Sequence, residues 1–146
     1  MSQPVILDSG PLGQISHADP SRHAEIKAWF DLLVTRDHPV FIPAIVDFEV
    51  RRGLILAERT RSLARLDALQ GRATLLPITN DDLRLAAGLW ATSRRRGQSV
   101  GDPKELNADV ILAAQAISMI DAVIATENVG HLGLFTEARP WATIKP

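Results

Sequence analysis

Short apolar runs alternate with longer segments of helical periodicity along the chain, and this alternation restricts the possible folds more than any other feature. Short apolar runs bounded by turn residues are typical of strands that are buried on both faces. The segments between them place apolar residues at the spacing of one helix face. Strands that are connected through helices run parallel, so the sequence predicts an α/β fold in which helices cover both faces of a mainly parallel sheet.

The strands and helices can be placed from turn residues and helix caps. The predicted strands cover residues 4–7, 40–42, 73–78, 122–126 and 141–145. The predicted helices cover residues 19–35, 43–59, 60–70, 79–97 and 106–119. Residues 8–11 are expected to form a turn and residues 98–103 a polar loop. The first helix should bury one face, which consists of Ile26, Trp29, Phe30 and Leu33.

Composition limits the class of protein. The chain has 146 residues, with 16 Lys and Arg against 17 Asp and Glu, and it contains no cysteine. These values predict one globular domain over residues 1–146, without disulfides or Cys-ligated zinc. No apolar run reaches the roughly 18 residues of a membrane-spanning helix, so we expect a cytoplasmic protein without a membrane partner. The near-neutral charge argues against a protein that coats nucleic acid nonspecifically.

Three acidic residues fall where the pattern predicts the interior or the edge of the sheet. Asp109 lies on the apolar side of the helix predicted over 106–119, and Glu49 lies on the apolar side of the helix over 43–59. Asp8 directly follows the first predicted strand, at the carboxyl edge where parallel α/β sheets bind ligands. Because a buried carboxylate is costly to ionise, three of them require compensating positive charge.

The sequence alone does not decide between two sources of that positive charge. Each acid could form its own ion pair with one of the 13 arginines of the chain. The three acids could instead converge on one divalent cation, which would relieve their mutual repulsion. Oxygen ligands favour Mg²⁺ or Mn²⁺, and such a site is suited to hydrolysis of a phosphodiester bond.

Four segments are individually weak signals but specific in combination. They are VILDSGPL at 5–12, Glu49 followed by Gly53, DVILAA at 109–114 and TENVGHL at 126–132. With these segments the chain resembles the PIN-domain ribonucleases, including the VapC-like toxins of bacterial toxin–antitoxin pairs, over nearly all of its length. The resemblance implies a three-layer α/β/α fold, an acidic Mg²⁺ or Mn²⁺ site and metal-dependent hydrolysis of RNA. It also implies a cognate antitoxin as partner and a homodimer.

The resemblance assigns roles by position. Asp8, Glu49 and Asp109 match the family's first three acids, so the resemblance implies that they hold the metal and are catalytic. The fourth position is Asn128, where the fully acidic pattern has aspartate, and its amide is expected to orient the metal or a water molecule. Ser9 and Thr126 are candidate hydroxyls that support these ligands, although ordinary turn and strand-end hydrogen bonds explain them equally well.

Two further residues of the last segment have weaker predictions. If residues 126–128 stay extended, Glu127 points away from Asn128, so it is a poor substitute for the missing acid unless the chain turns there. His131 is expected to pack or to form a hydrogen bond within a loop.

Arg51 and Arg52 follow Glu49 on the same predicted helix and are candidate contacts for RNA phosphates. Surface ion pairs, or acidic side chains of a partner protein, would explain these arginines equally well. Because Asn128 lowers the acidic charge of the site, an alternative function also stays open. In that alternative, the chain is a catalytically weak or inactive PIN-like module that binds RNA or a partner protein.

Overall fold

A computed structural model of the chain describes residues 2–97 and 103–146. These residues form a five-stranded sheet in the order β3-β2-β1-β4-β5, in which every neighbouring pair is parallel. Helices flank the sheet, which confirms the predicted α/β architecture. The strands are β1 (Val5–Leu7), β2 (Val40–Pro43), β3 (Thr74–Leu76), β4 (Val123–Ala125) and β5 (Ala138–Arg139).

One or two helices lie between successive strands of the described residues. They are α1 (Ser9–Ser16), α2 (Ala24–Thr35), α3 (Ala44–Leu56), α4 (Thr60–Leu69), α5 (Asn80–Arg95), α6 (Pro103–Ile117) and α7 (Val129–Leu132). A 3₁₀ turn covers Trp141–Thr143. Within the described ranges, no helix combines the length and the apolar content that crossing a bilayer requires.

The core is built around β1 and β4, whose side chains are all buried. Leu12 on α1 and Leu112 on α6 belong to the same apolar cluster. The predicted inner face of α2 is also correct, since each of its members is at most 6% exposed. Those members are Ile26, Trp29, Phe30 and Leu33. The adjacent interior strands β1 and β4 are therefore covered, as expected for a parallel sheet between helices.

The turn predicted over residues 8–11 is in fact the start of α1. Asp8 is the N-cap of this helix, and its carboxylate accepts a hydrogen bond from the Ser9 backbone N–H at 2.7 Å. Pro11 lies in the first turn, where its missing N–H has no helical partner to lose. The residues that resemble a turn in sequence are thus also the residues that begin a helix.

Two helices begin at other residues than predicted. Helix α2 begins at Ala24 because the Asp19 carboxylate instead accepts hydrogen bonds from the backbone and hydroxyl of Ser21, at 2.9 and 2.7 Å. Helix α6 begins at Pro103, since proline suits the first position of a helix. The remainder of the predicted loop, residues 98–102, lies outside the described residues.

The last strand lies earlier than predicted. Strand β5 consists of Ala138–Arg139, and the 3₁₀ turn occupies most of the stretch predicted as a strand. Pro140 has no N–H for a strand ladder and separates the two elements. Trp141 packs on Trp29 with ring centroids 5.6 Å apart, and the Trp29 indole donates a hydrogen bond to the Ile144 carbonyl at 2.8 Å. These contacts attach the C-terminal segment to α2.

Two helix faces differ from the periodicity analysis. In α3, the packed stripe runs through Val46, Val50 and Leu54, whereas Leu56, which the helical periodicity places on the side of Val46, is 87% exposed. In α6, the helical periodicity places Gln115 opposite the apolar residues, but Gln115 is buried. Its amide donates to the carbonyls of Leu76 and Pro77, at 2.9 and 3.1 Å. This contact fixes α6 against the carboxyl end of β3.

We expect the N-terminal cap of α5 to contribute measurably to stability. The Thr79 hydroxyl accepts from the Asp82 N–H, and the Asp82 carboxylate accepts from the Thr79 N–H, both at 3.0 Å. Thr79→Ala removes the first of these bonds, so the free energy of unfolding in urea should fall by about 1 kcal/mol. The control is Asn80→Ala, at the exposed neighbouring position. An equal loss in both variants would contradict the assigned role of Thr79.

Candidate active site

Asp8 lies at the carboxyl end of β1 and is held from two directions. The residue is 9% exposed. One carboxylate oxygen accepts from the Ser9 backbone N–H and the other accepts from the Thr126 hydroxyl, both at 2.7 Å. The two bonds fix the orientation of the carboxylate at the edge of the sheet where parallel α/β proteins bind ligands.

Thr126 connects Asp8 to the loop that follows β4. Strands β1 and β4 pair with Leu7 opposite Ala125, so the next residue of each strand lies beside the other. The fully buried Thr126 hydroxyl donates to Asp8 and accepts from the Asn128 N–H at 2.8 Å. The sequence analysis expected a supporting hydroxyl here, and the structure shows its contacts. Ser9 contacts Asp8 through its backbone N–H, so a role for its hydroxyl stays a prediction.

Glu49 on α3 and Asp109 on α6 bring two more carboxylates to this edge of the sheet. Their side chains are 24% and 15% exposed. Glu49 Oε2 lies 4.0 Å from Nη2 of Arg52, which is 62% exposed, and Asp109 Oδ2 lies 3.5 Å from His131 Nδ1. A 4.0 Å ion pair to an exposed arginine is weak because water screens it. Arg52 therefore compensates little of the charge of Glu49.

One cavity of about 350 Å³ brings the predicted acids together. Its lining includes four carboxylates, which come from the end of β1, from α3, from α6 and from the segment after β4. No lysine or arginine is among the described residues that line it. The lining residues are Asp8, Ser9, Gly10, Glu49, Asp109, Glu127 and Asn128.

The donor chemistry of this cavity fits Mg²⁺ or Mn²⁺. Carboxylate and amide oxygens are hard ligands, and Mg²⁺ usually binds one or two carboxylates while it keeps several waters. In the described part of the chain, no three His, Asp or Glu side chains are close enough together to hold one ion. Binding through three of them would therefore require side-chain rotation toward the ion.

The chain turns directly after β4, and this turn changes the position of Glu127. Asn128, with φ −102° and ψ 51°, is the N-cap of the short helix α7. Because residues 126–128 do not stay extended, Glu127 lines the cavity together with Asn128. The strong preference of Asn for helix N-caps is the sequence signal that favours such a turn.

His131 is a neighbour of the site that the sequence analysis did not place there. Its Nδ1 lies 3.3 Å from the Asn128 amide nitrogen and 3.5 Å from Asp109 Oδ2. One ring nitrogen cannot accept from the amide and donate to the carboxylate at the same time. The tautomer of His131 therefore determines whether Nδ1 donates to Asp109 on α6 or accepts from the Asn128 amide at the start of α7.

Arg51 and Arg52 do not line the cavity. Arg51 forms hydrogen bonds to Asp47 at 3.0 and 3.2 Å and an ion pair with Asp67 at 2.8 Å. The bonds to Asp47, followed by the contact with Asp67, raise the pKa of Arg51 above its ordinary value. Arg52 lies over the Phe48 ring at 5.1 Å. A contact of either arginine with RNA stays a prediction.

The sequence matches the PIN domain family over residues 5–131. This range contains Asp8, Glu49, Asp109 and Asn128. A comparison with curated protein sequences gives no significant match.

Solved structures share the fold over nearly their whole length. VapBC2 from Rickettsia felis, bound to a DNA fragment from its promoter, has a TM-score of 0.76 at 17% identity, covering 95% of this chain and 99% of that chain. VapBC-1 from nontypeable Haemophilus influenzae has a TM-score of 0.71 at 16% identity, covering 97% and 100%. DNA-bound VapBC from Salmonella typhimurium has a TM-score of 0.70 at 22% identity, covering 97% and 99%. At these identities the similarity establishes the fold.

Thr126→Val tests the buried hydroxyl that connects the carboxyl ends of the adjacent strands β1 and β4. Valine fills the same space but leaves one Asp8 oxygen and the Asn128 N–H without their partner. The free energy of unfolding should therefore fall by about 1–3 kcal/mol in a denaturant titration. Thr126→Ser keeps the hydroxyl, so its free energy of unfolding should fall less than that of Thr126→Val. Thr136→Val, at a half-buried position, is the matched control, and a loss no larger at Thr126 than at Thr136 would contradict this account.

Proposed function

The chain belongs to the PIN domain family, and on that premise we propose that it is an Mg²⁺- or Mn²⁺-dependent endoribonuclease. The observation that carries the proposal is the convergence of Asp8, Glu49 and Asp109 on one cavity. These residues are far apart in sequence and reach the cavity from a strand end and two helices.

Asp8, Glu49 and Asp109 would hold the ion, and each has a different degree of preorganisation. Asp8 is fixed by two hydrogen bonds, so it needs little reorganisation to bind. Glu49 and Asp109 reach the same cavity from helices α3 and α6. When bound, the ion supplies positive charge that stabilises the developing charge on the phosphate and lowers the pKa of water.

The neutral side chain of Asn128 has a different role from the acids. Its amide lines the cavity and can form hydrogen bonds with a water molecule or a phosphate oxygen without adding negative charge. We expect it to orient the attacking water. Its backbone N–H is held by the Thr126 hydroxyl, which also holds Asp8. The backbone of Asn128 and the side chain of Asp8 are therefore held by one buried group.

Electrostatics make substrate binding depend on the cation. An RNA phosphodiester is negatively charged, and a cavity lined by four carboxylates repels it. A divalent ion held by Asp8, Glu49 and Asp109 would offset that repulsion and supply positive charge for the phosphate. Metal ions should therefore promote both RNA binding to the cavity and cleavage.

We also propose a cognate antitoxin and a homodimer as partners. The sequence resemblance to VapC-like toxins and the similarity to VapBC structures support the first. Helix α3 exposes Phe48, Ile55 and Leu56, at 54%, 58% and 87%, which supports burial of this helix by another protein chain.

Asp8→Asn is the most direct test of the chemistry. The purified chain should cleave members of a panel of single-stranded RNAs in Mn²⁺, and a chelator should abolish the cleavage. Asp8→Asn should lower the rate by about 100-fold or more, since it removes a charged ligand. The control is Asp37→Asn, an exposed position with φ 58°, which asparagine tolerates.

Two results would contradict the nuclease proposal. The first is equal activity of Asp8→Asn and the unchanged chain. The second is tight RNA binding that a chelator does not affect, without cleavage products for any RNA of the panel. The second result would favour the alternative of a PIN-like module that binds RNA without cleaving it.

A further inference from the structure

Glu127 brings a fourth carboxylate to the cavity. Of the four acidic positions of the family pattern, this chain keeps only three as acids, namely Asp8, Glu49 and Asp109. The fully acidic pattern has aspartate at position 128, and this chain has the neutral Asn128. The turn at Asn128 places Glu127 in the cavity lining beside it. The negative charge that is missing from position 128 is therefore present one residue earlier.

A hydrogen bond from α1 orients the Glu127 side chain. Gln14 Nε2 donates to Glu127 Oε1 at 3.0 Å, and the two residues are 113 positions apart in the chain. Only one carboxylate oxygen takes part in this bond, so Oε2 keeps its lone pairs for another ligand. The donor is a neutral amide, so the bond leaves the charge of Glu127 uncompensated.

The surface of α1 leaves room between Gln14 and the other acids. Gly10 is one helical turn before Gln14, on the same face of α1, and it lines the cavity. A Cβ atom at Gly10 would meet no atom within 4 Å. The part of the cavity wall that Gly10 forms is therefore not filled by a side chain.

Among the residues that the structure describes, no lysine or arginine forms an ion pair with Glu127. A fourth carboxylate in the lining of the cavity increases the repulsion within that cavity. Bound divalent metal relieves this repulsion more effectively than water does.

We propose that Glu127 is a ligand of the divalent cation in the acidic cavity, taking the place of the acid absent at Asn128, and that Gln14 is its positioning residue. This inference rests on the proposed metal-dependent function. It extends the site to four carboxylates from four segments of the chain. Asn128 then serves to orient water, and Glu127 supplies charge and an oxygen ligand.

The test is equilibrium binding of Mn²⁺ to the full chain by isothermal titration calorimetry, which needs no RNA substrate. Glu127→Gln should weaken Mn²⁺ binding about tenfold or more, because affinity follows the number of charged ligands. Gln14→Leu should weaken it about tenfold while the charge is unchanged. Glu25→Gln, at an exposed position of α2, changes the net charge by the same amount as Glu127→Gln and should bind like the unchanged chain. Circular dichroism checks that each variant is folded.

The dependence on salt concentration distinguishes a direct ligand of the ion from a charge that acts on it through solvent. The titrations are run in 0.15 M and 1 M NaCl, where the Debye length is about 8 and 3 Å. Loss of a direct ligand persists at 1 M NaCl, whereas loss of a charge that acts through solvent is screened. The result to compare is the Mn²⁺ dissociation constant of Glu127→Gln divided by that of the unchanged chain. If this ratio remains about tenfold at 1 M NaCl, the proposal is supported. If the ratio falls to one at 1 M NaCl, the proposal is overturned.

Asp8→Asn distinguishes failure of this inference from failure of the proposed function. If Asp8→Asn weakens Mn²⁺ binding and Glu127→Gln does not, Glu127 is not a ligand and the three-acid site remains. If the unchanged chain binds no Mn²⁺, or if Asp8→Asn binds it equally well, both proposals fail.

Discussion

The hydrogen bond from the buried Thr126 hydroxyl to Asp8 connects the first acid of the candidate site to the segment that carries Glu127 and Asn128. It joins the carboxyl ends of β1 and β4, two adjacent interior strands of the sheet, at 2.7 Å. Asp8 also caps α1, and Thr126 also holds the N–H of Asn128, where the chain turns into α7. One hydroxyl thus fixes the first acid, the start of the helix that carries Gln14 and the turn that directs Glu127. The acids of α3 and α6 then approach from the flanking helices.

Those parts of the structure that depend on local patterns follow from the sequence. Apolar alternation predicted a parallel sheet, and the structure has one. Helix caps and apolar spacing located α2, α4 and α5 to within a few residues, although α2 begins later than predicted. Strand ends and helix faces also placed Asp8, Glu49 and Asp109 at one edge, because the carboxyl ends of parallel strands lie together.

Other parts depend on contacts between distant residues, which local patterns do not contain. The position of Glu127 follows from the turn at Asn128 and from a hydrogen bond to Gln14. Trp29 holds the C-terminal segment, which therefore does not continue as a strand. Arg51 was a candidate for RNA contact by its place in the sequence, yet it forms an ion pair with Asp67 on α4 in addition to the pair with Asp47 one helical turn before it. For Glu127, for Trp29 and for the contact of Arg51 with Asp67, a partner on another element or a change in backbone direction decides where the side chain lies.

The central claim is that the carboxylates of this cavity share one divalent cation, and anomalous diffraction from a crystal grown with Mn²⁺ tests it most directly. The account predicts an anomalous difference peak inside the cavity, with oxygens of Asp8 and at least one of Glu49 and Asp109 as ligands. Carboxylates that lie closer to the peak in that crystal than in the present structure would show that they bind the ion by side-chain rotation. A crystal with Mn²⁺ in solution and no peak in the cavity, or with peaks only on other surfaces, would contradict the account.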